Sequence, residues 1–131
     1  MSTRPMQFSK SCLKTLTAVE ADASRSNQHE FQGVSALRSI FGNDRISTTA
    51  QFSIRGNDAS YPADLTWYDA RENNTERSAE FRLYFQSNPV MEMAQENDSI
   101  IIGLDQHNNI YCELIPQASP EYTYSGRWSV S

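Results

Sequence analysis

The chain has 131 residues, 38% hydrophobic and 21% charged, which suits one globular domain large enough to bury about two-thirds of its unfolded surface. No apolar run approaches the roughly 20 residues needed to cross a bilayer, and Met1–Phe8 has no apolar stretch of signal-peptide length, so a cytoplasmic protein without a membrane partner is expected. The formal net charge of −5 argues, taken globally, against a nucleic-acid partner, although local phosphate contacts decide such affinity.

In chain order, residues 7–16 read as a strand or short helix, and residues 17–29, small and polar, as a loop. Val34, Leu37, Ile40 and Phe41 fall at helical spacing and Gly42 follows as a stop. Residues 48–55 alternate, with Ala50, Phe52 and Ile54 on one face, and read as a strand. A turn over 56–61 leads to a second strand at 63–68. A polar turn at 72–75 precedes a third strand, 80–85, in which Phe81, Leu83 and Phe85 alternate with Glu80, Arg82 and Tyr84. Residues 89–95 suggest a helical turn. Residues 99–104 read as a buried strand, 105–109 as a tight turn and 110–115 as the hairpin partner. The tail, 116–131, reads as loop with several aromatics. The sum is a mostly β protein with one or two short helices, for which a small barrel or pseudobarrel suits the many short strands. Cys12 and Cys112 have no metal-ligand spacing and read as free buried thiols.

Nothing in the sequence resembles an active site. Pro62, Asp64, Glu80 and Arg82 loosely imitate a metal-dependent nuclease core, but no lysine stands where one is wanted, and Glu80 and Arg82 alternate with apolar residues as a solvent face would. His29 and His107 are isolated, and no glycine-rich phosphate loop exists.

Recognition is better served. One polar loop runs Ser24–Arg25–Ser26–Asn27–Gln28–His29, and a second runs Arg71–Glu72–Asn73–Asn74–Thr75–Glu76–Arg77–Ser78. Arginine bonds bidentately to guanine, Asn and Gln to adenine, and Glu to the cytosine amino group, while hydroxyls hold phosphates. Ten of the eleven Lys and Arg lie in residues 1–82, so a basic face and an acidic flank are compatible with the acidic total. Each candidate also has a plainer role. Arg71 fits an ion pair with Asp69 or Glu72, Asn73 and Asn74 fit turn geometry, and His29 fits a helix cap. A non-catalytic carbohydrate or protein-interaction β module would explain the same loops, and Trp67, Tyr122, Tyr124 and Trp128, if exposed, would suit sugar stacking.

Three ordered segments carry a resemblance. The first is Ser26–Asn27–Gln28–His29–Glu30–Phe31–Gln32–Gly33, followed by Leu37 and Phe41–Gly42. The second is Thr66–Trp67–Tyr68–Asp69–Ala70–Arg71, then Asn74–Thr75–Glu76–Arg77, then Glu80–Phe81–Arg82–Leu83–Tyr84–Phe85. The third is Ser87–Asn88–Pro89–Val90, ending in Ser99–Leu104. Together, over most of residues 12–115, they resemble the N-terminal effector domains of EcoRII-like type II restriction endonucleases and the related DNA-reading domains of the UbaLAI, BfiI and NgoAVII enzymes. The resemblance implies a DNA-binding pseudobarrel whose two arms grip the major groove of a short CCWGG-like site (W being A or T). It implies that Asn27, Gln28 and His29 form the first arm's tip, that Arg71 stands at the base of the second arm, and that Glu76 and Arg77 supply that arm's Glu and Arg character. Arg25 and Ser26 are expected phosphate contacts, and Asn73, Asn74, Thr75 and Ser78 complete the second arm. Lys10, Lys14 and Arg38 are expected to extend the basic face, and Glu80 and Arg82 to support the second arm from the strand. The resemblance further implies a monomeric, cofactor-free, non-catalytic domain within a longer prokaryotic enzyme, whose separate nuclease domain would use Mg2+.

Overall fold

The computed structural model describes residues 9–25, 30–32, 35–71 and 80–130. The elements, in chain order, are β1 (Lys10–Thr15), α1 (Ala18–Arg25), β2 (Glu30–Gln32), α2 (Ser35–Phe41), β3 (Ile46–Ile54), β4 (Ser60–Asp69), β5 (Phe81–Phe85), α3 (Pro89–Glu92), β6 (Ser99–Leu104), β7 (Ile110–Ile115) and β8 (Ser129–Val130). The fold is mostly β, as the alternation in the sequence predicts, with three short helices where one or two were expected.

All eight strands join one sheet in the order β2-β5-β4-β3-β7-β6-β1-β8. Every pairing is antiparallel except β3 with β7, where Ala50 faces Ile110 and Ile54 faces Leu114. The sheet curls until its two short edge strands approach each other. Phe31 on β2 meets Trp128, just before β8, edge-on at 5.8 Å between ring centroids. Short edges that curl inward and share a buried aromatic contact expose little unpaired backbone. Inside lie Phe52, Leu65, Trp67, Leu83, Phe85 and Ile102, all essentially inaccessible. They come from alternate positions of β3, β4, β5 and β6, because successive strand residues point to opposite faces.

The polar stretch 17–29, expected as a loop, contains α1. Thr17 and Glu20 form a reciprocal cap: the Thr17 hydroxyl accepts from the Glu20 amide at 3.2 Å and the Glu20 carboxylate accepts from the Thr17 amide at 3.0 Å. This Ser/Thr-x-x-Glu box satisfies two amide donors at the start of a helix. Ser24 and Arg25 therefore close a helix. The α2 helix ends as expected at Gly42, whose φ of +80° is the left-handed conformation that glycine adopts without penalty.

Asn88 begins α3. Its side chain accepts from the Met91 amide at 3.1 Å and is almost fully buried, followed by Pro89 in the first turn. Asn88→Ala is expected to lower stability by about 1–2 kcal/mol, read as a fall in the urea midpoint with unchanged m value; no change would show that α3 stands without its cap.

The tail is loop as expected up to the short strand β8, and it is docked on the sheet. Residues 116–125 cover the outer face of β1, β6 and β7, where Leu13, Ile101 and Ile115 form a second apolar cluster with Tyr122 packed against it. Hydrogen bonds fasten it: Thr15 N–H to Ser125 O at 2.7 Å, Ser125 N–H to the Thr15 hydroxyl at 2.8 Å, and the Ser99 hydroxyl to Thr123 O at 2.7 Å. The tail thus gives β6 its buried second face, which explains the unbroken apolar run Ile100–Ile101–Ile102.

Cys12 and Cys112 are free and buried. Both stand opposite Ile102 on its two neighbouring strands, so they lie two strand spacings apart, about 10 Å, beyond disulfide reach. Burial pushes both thiols above their ordinary pKa.

Candidate nucleic-acid interface

The hairpin β4–β5 presents the second polar loop. Its root is closed by Asp69, whose carboxylate accepts from the Arg71 amide at 2.9 Å and from the Glu80 amide at 2.8 Å, while the Ala70 amide donates to Glu80 O at 2.7 Å. Arg71 Nη2 then pairs with Glu80 Oε1 at 3.0 Å. Arg71 thus pairs with Glu80 and not with the expected Asp69, which is used by backbone amides; the other expected partner, Glu72, lies outside the described residues. Asn73, Asn74, Thr75, Glu76, Arg77 and Ser78 lie outside the described residues, as do Ser26, Asn27, Gln28 and His29. Arg25 is placed only as the last residue of α1.

Both loops are rooted in adjacent strands. Residues 26–29 lead into β2 at Glu30, which pairs with Tyr84, and β5 begins at Phe81, directly after the second loop. The two attachment points are thus about three residues, or roughly 10 Å, apart along one pair of strands.

A chain of charged side chains spans that distance on the outer face. Arg82 Nε donates to Glu80 Oε2 at 3.0 Å and its Nη2 reaches the same oxygen. Arg82 Nη1 lies 3.5 Å from Glu30 Oε1, and the other Glu30 oxygen accepts the Tyr68 hydroxyl. The Arg45 guanidinium lies over the Tyr68 ring, 5.6 Å from its centroid, and Arg38 lies over Phe81 at 4.8 Å. The hydrogen bond from Arg82, reinforced by the charge of Arg71, holds Glu80 below the ordinary carboxylate range. Burial, then the bond to Glu30, raises the Tyr68 phenol.

Three arginines, Arg45, Arg71 and Arg82, therefore lie on the outer face where β4 and β5 open into the second loop, interleaved with Glu80 and Glu30. Arg38, expected to extend the basic face, instead stands on α2 over the core-facing ring of Phe81 and donates to the Asn43 side chain. Lys10 and Lys14 stand on β1, beyond β3, β7 and β6 in the sheet, and Lys14 is bound to Glu20. Arg45, Glu30 and Tyr68 were not candidates from sequence. Their partners are remote in the chain, and the local signal was only that Tyr68 and Arg82 both alternate with buried neighbours.

The nuclease-like reading of Asp64 and Glu80 meets a geometric obstacle. Asp64 faces Gln86, whose amide donates to Asp64 O, whereas Glu80 sits beside Ala70 at the other end of the hairpin, roughly 20 Å along the strands. Among the described residues no group of three His, Cys, Asp or Glu could hold a metal ion. The sugar-stacking platform is not assembled either: Trp67 and Trp128 are buried and Tyr122 is half-buried, leaving Tyr124 exposed. Among the described residues no helix is long and apolar enough to cross a membrane.

Neither a protein-family model nor a curated protein matches this chain.

Proposed function

We propose that this chain is a sequence-specific reader of duplex DNA, using residues 26–29 and 72–79 as two arms in the major groove. The observation that carries this reading is the gathering of Arg45, Arg71 and Arg82 on the outer face at the root of the second loop. Arg71 and Arg82 keep partly exposed guanidiniums there although both are ion-paired, and the neighbouring loop sequences are rich in groups that pair with base edges. The pseudobarrel supplies a rigid frame for both loops. The resemblance to EcoRII-like effector domains points to a CCWGG-like site. It also points to a monomeric, cofactor-free targeting domain in a cytoplasmic prokaryotic restriction endonuclease, with cleavage by a separate Mg2+-dependent nuclease domain.

The test is a fluorescence-anisotropy titration of a CCWGG duplex against a scrambled duplex at two salt concentrations. Preference for the first supports the reader and the site. Equal binding to both retains duplex binding and rejects the site. Within the same assay, Arg77→Ala is expected to cost about 1–3 kcal/mol on the cognate duplex if Arg77 pairs with guanine. A uniform loss on both duplexes assigns Arg77 to phosphate, and no loss removes it from the interface.

A second reading has its own observation. A groove of about 550 Å³ opens between α3 and the tail, lined by Ile54, Met93, Leu114 and Pro116 with Glu96 and Asp98. Such a groove suits a peptide-binding module, and absence of duplex binding at low salt would make that the better reading.

A further inference from the structure

Arg71, two residues past the end of β4, and Arg82, on β5, share the two oxygens of Glu80, one each. Their side chains remain 37% and 41% exposed, while the Glu80 carboxylate between them is 19% exposed. A guanidinium offers five N–H donors. Glu80 and Glu30 take donors from Nε, Nη1 and Nη2 of Arg82, so the second hydrogens of the two terminal nitrogens remain for another acceptor. Two arginines and two carboxylates sum to zero charge, so the cluster in the free protein exerts little long-range pull on a polyanion. Its geometry is nevertheless fixed: Glu80 is held by the hairpin root through Asp69, and Glu30 by the Tyr68 hydroxyl.

Building on the duplex-binding reading, we propose that Arg71 and Arg82 are a backbone-phosphate site, with Glu80 and Glu30 as internal carboxylates that hold both guanidiniums in place and that a duplex phosphate supplements or displaces. Carboxylate and phosphate oxygens accept from a guanidinium in the same planar, forked manner, so one can stand in for the other. The role of Arg82 thereby changes from support of the loop to contact with the ligand. The internal carboxylates also give a reason for the acidic residues at the interface: they lower affinity for arbitrary duplex, leaving discrimination to the loops.

The experiment is anisotropy of a labelled duplex across a series of KCl concentrations, with the wild-type chain and the variants Arg82→Gln, Arg82→Lys and Glu30→Gln. Each phosphate contact contributes about 0.9 to the slope of log K against log salt. Arg82→Gln is expected to weaken binding to cognate and scrambled duplex by the same factor and to reduce the slope by about one. Arg82→Lys, which keeps the charge, is expected to retain the slope, and Glu30→Gln to strengthen binding to scrambled duplex several-fold. Thermal melts of each variant separate loss of contact from loss of fold, and Arg82→Lys and Glu30→Gln carry the test if Arg82→Gln does not fold. Wild-type binding with a slope unchanged by Arg82→Gln overturns the phosphate site and leaves the duplex reader standing. Weaker binding by Glu30→Gln overturns the stand-in role of the carboxylate. Absence of wild-type binding to any duplex at low salt overturns the site together with the reading on which it rests.

Discussion

Trp67→Ala is expected to destabilise the protein by about 3–5 kcal/mol. Trp67 is 1% exposed and lies between two other rings, stacked on Phe41 at 27° and on Phe81 at 10°, each with centroids 5.1 Å away. Its indole N–H donates to Gly42 O at 3.0 Å, so removal also leaves the carbonyl at the end of α2 without that partner. The stack joins α2, β4 and β5, and Arg38 lies on the other ring partner, Phe81. Loss of the indole therefore loosens the frame directly beneath the proposed interface. Urea denaturation measures the effect, and Trp67→Phe, which keeps a ring but loses the N–H, is expected to cost about 1–2 kcal/mol. A loss below about 1 kcal/mol for Trp67→Ala would show that the surrounding core collapses to fill the space.

Glu113→Ala is expected to cost about 3–5 kcal/mol, because it strands a buried cation. Arg55 and Glu113 are 9% and 8% exposed, and they meet through two parallel bonds of 2.8 and 2.6 Å. Glu121, 3.4 Å from Arg55 Nη1 and 46% exposed, compensates only in part and places the effect toward the lower end. The pair joins β7 to the residue that follows β3, under the tail that carries Glu121. The informative comparison is the double variant Arg55→Met/Glu113→Leu, in which both charges are replaced together. It is expected to match or exceed the wild-type stability, since desolvating the two ions costs about as much as their attraction returns. A double variant as unstable as Glu113→Ala would mean that the pair itself, not the stranded charge, sustains this seam.

The elements that were legible in the sequence are those whose pattern is local. Phe81, Leu83 and Phe85 alternate because one face of β5 is core, and the strand is where that alternation places it. The turn between β6 and β7 was legible because Asp105 does what its residue type does: its carboxylate accepts from the His107 and Asn109 amides at 2.8 and 2.9 Å. The α1 helix was missed because Ala, Asp and Ser dominate residues 18–25, and the Thr17–Glu20 box is a weak signal without an apolar stripe. The tail was rightly read as loop, but its docking was not legible because it comes from contacts with Thr15 and Ser99, far away in the chain. The same reason hid most of the candidate site. Tyr68 and Glu30 are 38 residues apart, and Arg82 and Glu30 are 52 apart, so their meeting depends on β2 pairing with β5. Arg71 and Arg82 could be marked as polar strand-end residues from the sequence; that they share one carboxylate could not.

The closed root of the β4–β5 hairpin has a consequence for how such a protein can diversify. Asp69 fastens the amides of Arg71 and Glu80, so the stem is tied at its root by its own residues. With the root tied, lengthening the segment between Arg71 and Glu80 carries a small closure cost, about 0.6 kcal/mol for each doubling of its length. Core strands under such a loop can stay constant while its length and composition vary, so new specificities can arise by local replacement without a redesign of the barrel.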